Sequence, residues 1–122
     1  MKFNIFNYFK NLFKEKNEET LLYEHIIFIS SLSDIPPQTK KNIYIVKSGD
    51  TDKWVVFECP NNCGRRVEVN LMKSRYPSWR LILRKKKVSL YPSVIVKDCD
   101  AHFWLSNNRV IWSVDDDELI QS

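Results

Sequence analysis

Four side chains stand out for the chemistry they could do together. Cys59-Pro60-Asn61-Asn62-Cys63-Gly64 places two thiols on one tight turn with three residues between them, and Cys99-Asp100-Ala101-His102 adds a third thiol and an imidazole two residues apart. Three thiolates and one imidazole are the ligand set of closed, tetrahedral zinc sites. Pro60 fixes the backbone at the start of the first turn, and Gly64 lets it curl so that amide N–H groups can turn toward the sulfurs. The chain has three cysteines, an odd number, and all three fall within this spacing. The expected metal ligands are therefore Cys59, Cys63, Cys99 and His102, with Zn2+ as the ion. An iron–sulfur cluster is the alternative occupant, but the spacing matches neither common ferredoxin pattern.

Four protein ligands leave a zinc ion no open position for a water or a substrate. There is no H-E-x-x-H helix motif. The deaminase signature needs a glutamate two residues after the ligand histidine, and Trp104 stands there. His25 is the other histidine, and it reads as the start of a strand rather than as a ligand. The spacing singles out no nucleophile–base pair, and two separated glycines cannot build a phosphate loop. On these grounds no catalytic residue is assigned, and the expectation is a non-enzymatic, zinc-stabilised interaction module.

The elements that must position these ligands are short strands. Both cysteine loops follow β-branched runs, at Val55–Glu58 and Val94–Lys97. Further strands are expected near 25–30, 43–47, 66–71, 79–84, 88–90, 102–106 and 109–113. Residues 66–71 alternate cleanly, as a half-buried strand does, and Asn107-Asn108 suits a tight hairpin because Asn tolerates positive φ. In 102–106 the same alternation puts Phe103 and Leu105 on one face and His102 and Trp104 on the other, so Trp104 is expected to cover the metal. Trp54, Trp79, Trp104 and Trp112 are read as core fillers or, alternatively, as a recognition surface.

The fold class is thus mainly β: a small zinc-ribbon-like antiparallel domain with an N-terminal amphipathic helix. Residues 1–16 carry phenylalanines at helical spacing opposite a basic and polar face, and residues 1–20 form that helix and a polar linker. The zinc-binding β domain is expected over 21–114, followed by an acidic tail at 115–122. The Phe stripe could pack on the domain's own sheet, dock on a partner, or lie on an anionic membrane surface.

Composition bounds the rest. With 122 residues, 43% of them hydrophobic and 28% charged, the chain has the make-up of one ordinary globular domain. No apolar stretch approaches a membrane span and no secretory leader is visible, so a cytoplasmic location is expected. The net charge of +4 is modest for an obligate nucleic-acid binder. The basic residues nevertheless crowd one region: Arg65, Arg66, Arg75, Arg80, Arg84, Lys85, Lys86 and Lys87. Together with Tyr76 and Trp79 they could contact phosphates and bases, or a protein partner. The simpler reading of Arg84–Lys87 is a solvated hairpin turn.

One ordered series of residues runs Cys59-Pro60, Cys63-Gly64-Arg65-Arg66, Trp79, Leu90-Tyr91-Pro92-Ser93-Val94, Cys99 with His102-Phe103-Trp104-Leu105, and Arg109-Val110-Ile111-Trp112. This series resembles a bacterial domain-of-unknown-function family, numbered 6527. Glu24-His25, Ile35-Pro36 and Ile43-Tyr44-Ile45-Val46 also fit its opening, so the resemblance covers residues 24–113. This chain departs from the family where a further cysteine often stands, at Asn61 or Asn62, and where a serine precedes the histidine, at Ala101. The resemblance implies a metal-binding accessory protein. Some members are encoded beside homologues of ubiquitin-activating and ubiquitin-conjugating enzymes. It therefore implies enzymes of a bacterial ubiquitin-like conjugation or defence system as partners. The alternative is a nucleic-acid-binding zinc-ribbon-like module that uses the basic 65–87 face.

Overall fold

A computed structural model describes residues 23–113. The expected N-terminal helix, the polar linker and the acidic tail lie outside the described residues. Nine strands run through the described part in chain order. They are β1 (His25–Ile29), β2 (Asn42–Ser48), β3 (Thr51–Glu58), β4 (Arg66–Asn70), β5 (Arg80–Arg84), β6 (Lys87–Tyr91), β7 (Val94–Val96), β8 (Ala101–Ser106) and β9 (Arg109–Trp112). The domain is mainly β, and each expected run forms a strand.

The strands build three sheets, ordered β1-β2-β3-β4, β5-β6 and β7-β8-β9. All pairings are antiparallel except β1 with β2, which is parallel. That exception follows from the connection. A short 3-10 turn at Leu32–Asp34, capped by the Ser31 side chain, and the Pro36-Pro37 pair carry the chain back before β2 begins. A tight hairpin would have reversed the strand instead.

The turns show why these residues stop the strands. Gly49, between β2 and β3, has φ +61°, and the β5–β6 turn places Lys85 at φ +52° and Lys86 at +62°. The β8–β9 turn uses Asn107 and Asn108 at +51° and +67°, the left-handed pair that a two-residue hairpin needs. Asn108 does more than turn the chain. It is buried, its Oδ1 accepts from Val88 N (2.7 Å), and its Nδ2 donates to Tyr23 O (3.0 Å). One side chain thereby ties the third sheet to the second and to the segment entering β1.

The main core lies between the sheets. Ile43, Ile45, Val55 and Phe57 meet Val88, Leu90, Val94, Phe103, Leu105 and Val110, all buried. Tyr23, Phe57 and Phe103 stack edge to face in sequence, with centroids 5.3 and 6.2 Å apart, within the favourable range for aromatic pairs. Strand β2 is buried on both faces, because Tyr44 and Val46 join Ile35 and Val56 in a second, smaller cluster. On β8 the alternation is as expected: Ala101, Phe103 and Leu105 point inward, and His102 and Trp104 do not. Among the described residues no helix is long and apolar enough to cross a membrane.

Candidate metal centre and serine–histidine pair

Cys59 is the first residue beyond β3 and is buried, Cys63 is exposed, and Cys99 lies half-buried in the loop between β7 and β8. Both loops curl through left-handed backbone: Asn62 (φ +57°) and Gly64 (+78°) in the first, Asp100 (+58°) in the second. Asn and Asp adopt that conformation more readily than other residues with a side chain. The first loop closes through Cys59 N donating to Arg65 O (2.9 Å), and the second through Cys99 N donating to Val96 O (3.2 Å). An Arg65–Asp98 ion pair (3.4 Å) links the two loops.

This folding brings the three sulfurs within 4.8 Å of one another. The Cys59 and Cys99 sulfurs are 3.7 Å apart. Two ligands of a tetrahedral zinc, each at about 2.3 Å from the ion, are roughly 3.8 Å from each other. The donor set therefore fits a metal ion, and three thiolates favour a soft or borderline one such as zinc. Asn61 Nδ2 donates to the Cys99 sulfur at 3.3 Å. Backbone hydrogen bonds reach the sulfurs from Asn61 (to Cys59) and Arg65 (to Cys63), each favouring thiolate. Burial, with the neighbouring thiols, pushes the Cys59 thiol up to about 12, whereas the hydrogen bond with Cys99, and then Arg65, holds exposed Cys63 below the usual thiol range. A bound cation would draw the proton off all three.

His102, the fourth expected ligand, makes a contact of its own. Among the described residues the cluster of metal-ligating side chains comprises Cys59, Cys63 and Cys99. The Nε2 atom of His102 instead lies 2.9 Å from Ser93 Oγ. The register explains the contact. Ile95 on β7 lies directly opposite His102 on β8, so Ser93, two residues earlier on the same face, is its diagonal neighbour. Ser93 is anchored as well: its carbonyl accepts from Trp79 Nε1 at 3.1 Å. Trp79 in turn follows a loop held by Asn70, whose Nδ2 faces the carbonyls of Met72, Arg75 and Pro77. Ser93 and His102 are both partly exposed.

Trp104 does not cover the cysteines as expected. It is 37% exposed, and its ring neighbour is Tyr91, 5.9 Å away. Trp112 is also exposed, so neither is a core filler. Of the basic residues, Arg65 and Arg66 are ion-paired with Asp98 and Glu68, and Lys85 and Lys86 form the solvated β5–β6 turn. Arg80 lies over the Tyr91 ring at 6.0 Å.

Sequence reasoning missed Ser93. The residue stands in the Leu90-Tyr91-Pro92-Ser93-Val94 segment that carries the family resemblance. Nothing in its spacing from His102 marks a pair until β7 and β8 are placed side by side in register. A serine directly before a β-branched run, with a histidine at an outward position of the next strand, was the signal available.

The described residues thus form a small β domain with a three-cysteine cluster that could hold a metal ion and, on β7 and β8, a serine–histidine contact. The chain belongs to the BubE family, described as bacterial ubiquitination-like system serine protease, whose model matches residues 31–113. Every residue of both sites lies inside that range. No curated protein and no solved structure matches the chain.

Proposed function

We propose that this chain is a metal-stabilised serine hydrolase domain acting on protein substrates of a bacterial ubiquitination-like system. Ser93 would be the nucleophile and His102 its general base. The observation that carries the reading is the 2.9 Å contact between Ser93 Oγ and His102 Nε2. A serine is a weak nucleophile unless a base within hydrogen-bond reach takes its proton. The family's description as a serine protease supports the same assignment. The interaction-only module expected from four metal ligands has less support, because the Nε2 atom of His102 faces a hydroxyl.

The chemistry runs in two halves. Ser93 Oγ attacks the scissile carbonyl carbon while His102 Nε2 accepts the hydroxyl proton. The tetrahedral species collapses as His102 returns that proton to the leaving amine, and the C–N bond breaks. Water, deprotonated by the same imidazole, then attacks the acyl-serine ester. His102 protonates Ser93 Oγ, releasing the carboxylate product and the free serine.

Cys59, Cys63 and Cys99 would hold zinc, which joins the β3–β4 loop to the β7–β8 loop and supplies folding free energy that a small domain lacks. The ion takes no part in the steps above. Its effect on them is positional: the loop it fixes connects the strand that follows Ser93 to the strand that carries His102. The test is cleavage of a protein in which the system's own ubiquitin-like modifier is fused through its C terminus to a reporter. The wild-type chain should separate the two parts, and Ser93→Ala should not. Equal cleavage by both would refute the assignment.

A further inference from the structure

Strands β4 and β7 are each the outer strand of their sheet, and among the described residues neither has a second partner. A cleft of about 490 Å³ lies between them. Gly64, Arg66 and Glu68 line one side, and Ile95, Val96 and Lys97 the other. Its volume falls within the roughly 300–1,000 Å³ typical of ligand sites. Ile95 connects the cleft to the serine–histidine pair. It lines the cleft, it is 61% exposed, and it stands directly opposite His102 and two residues from Ser93. Two residues of strand span about 7 Å.

We infer that this cleft receives the substrate as an extended polypeptide. The substrate segment pairs its backbone with the free edge of β7, and its scissile bond reaches Ser93 at the strand's first end. The inference rests on the serine hydrolase reading above. Exposed sheet edges bind extended peptides through main-chain hydrogen bonds, with side-chain contacts at alternate positions. Ile95 offers an apolar contact where the cleft meets the Ser93–His102 face. The electrostatics select polypeptide over nucleic acid. Arg65 and Arg66 lie along the cleft, but Asp98 (3.4 Å) and Glu68 (3.0 Å) already neutralise them. Among the described residues Lys97 has no ion-pair partner, so the cleft carries one uncompensated positive charge. A phosphate backbone needs several.

The experiment compares two reactions of the full chain. One is labelling of Ser93 by a small fluorophosphonate, which needs only the serine and its base. The other is cleavage of a denatured, protease-generated peptide library, followed by mass spectrometry. Ile95→Lys narrows the cleft from the β7 side and Glu68→Trp from the β4 side, and both residues are exposed. For each variant, the cleavage rate divided by the labelling rate should fall tenfold or more. With Ser93→Ala and the peptide cut fastest by the wild type, amide exchange should slow over residues 94–96. Unchanged ratios in both variants, or labelling of Ser93 with no peptide cut, would overturn the cleft assignment. Failure of the wild type to label would instead refute the serine–histidine reading, and this inference with it.

Discussion

Replacing His102 by alanine separates two roles that one imidazole cannot fill through the same nitrogen. As a fourth zinc ligand, His102 would be part of a structural site whose ion contributes apparent folding free energy of about 10–16 kcal/mol. Its loss would strip or greatly weaken the metal. As the partner of Ser93, its Nε2 shares a partly exposed hydrogen bond at 2.9 Å, and a bond of that kind is worth about 1 kcal/mol net. A change of 1 kcal/mol moves the melting temperature of a domain this size by roughly 4–8 °C. His102 is not part of the core, and its inward neighbours Ala101 and Phe103 hold β8 in place. We therefore expect His102→Ala to keep the wild-type metal content, melt within about 10 °C of it, and lose hydrolysis. The assays are metal content by mass spectrometry on the purified chain, thermal unfolding by circular dichroism, and cleavage of the modifier fusion. A metal-free, largely unfolded His102→Ala chain would refute the reasoning and restore the imidazole to the ligand set.

Other perturbations follow from the same geometry. Cys59→Ser, or a strong chelator on the wild type, should release the ion and unfold the cysteine loops, read as a large loss of near-ultraviolet signal; an unchanged melting curve would show that the cluster binds nothing. Asn108→Ala removes two buried side-chain hydrogen bonds and places Ala at φ +67°, which should cost about 2–4 kcal/mol in denaturant unfolding. Phe103→Ala empties the centre of the main core and should cost about 3–5 kcal/mol. Tyr23 is buried, and burial raises its phenol well above the usual value of 10.0. Its hydroxyl donates to Glu58 O. The unfolded chain ionises this group first, so its contribution is full below pH 10 and declines as pH rises further. Tyr23→Phe should flatten that decline in stability measured from pH 9 to 11, and an identical slope would contradict it.

Much of the fold was legible because its signals are local. The strands at 66–70 and 101–106 alternate in sequence as they do in burial, and Asn107-Asn108 announced its hairpin. The three cysteines were legible because thiols at that spacing have few other uses. The parallel pairing of β1 and β2 was not, since it depends on how the 30–41 segment routes the chain rather than on either strand. Ser93 and His102 illustrate the same limit at the site. Each lies within a motif, but their contact is a product of register between β7 and β8, and a serine carries no distinctive spacing of its own. Trp104 was misplaced for a related reason. Alternation correctly put it on the His102 face, but that face carries Tyr91 and the serine–histidine contact, while the cysteines lie at the end of the strands.

The most direct measurement is the intact mass of the wild-type, Ser93→Ala and His102→Ala chains after exposure to a fluorophosphonate. Attack by Ser93 Oγ at phosphorus displaces fluoride, and the hydroxyl proton leaves with it, so a labelled chain gains the probe less hydrogen fluoride. One adduct is expected on the wild type, mapped to Ser93 by peptide fragmentation, with none on Ser93→Ala and strongly slowed labelling of His102→Ala. A wild-type chain that retains its metal yet takes no label, or one labelled equally in all three forms, would contradict that expectation.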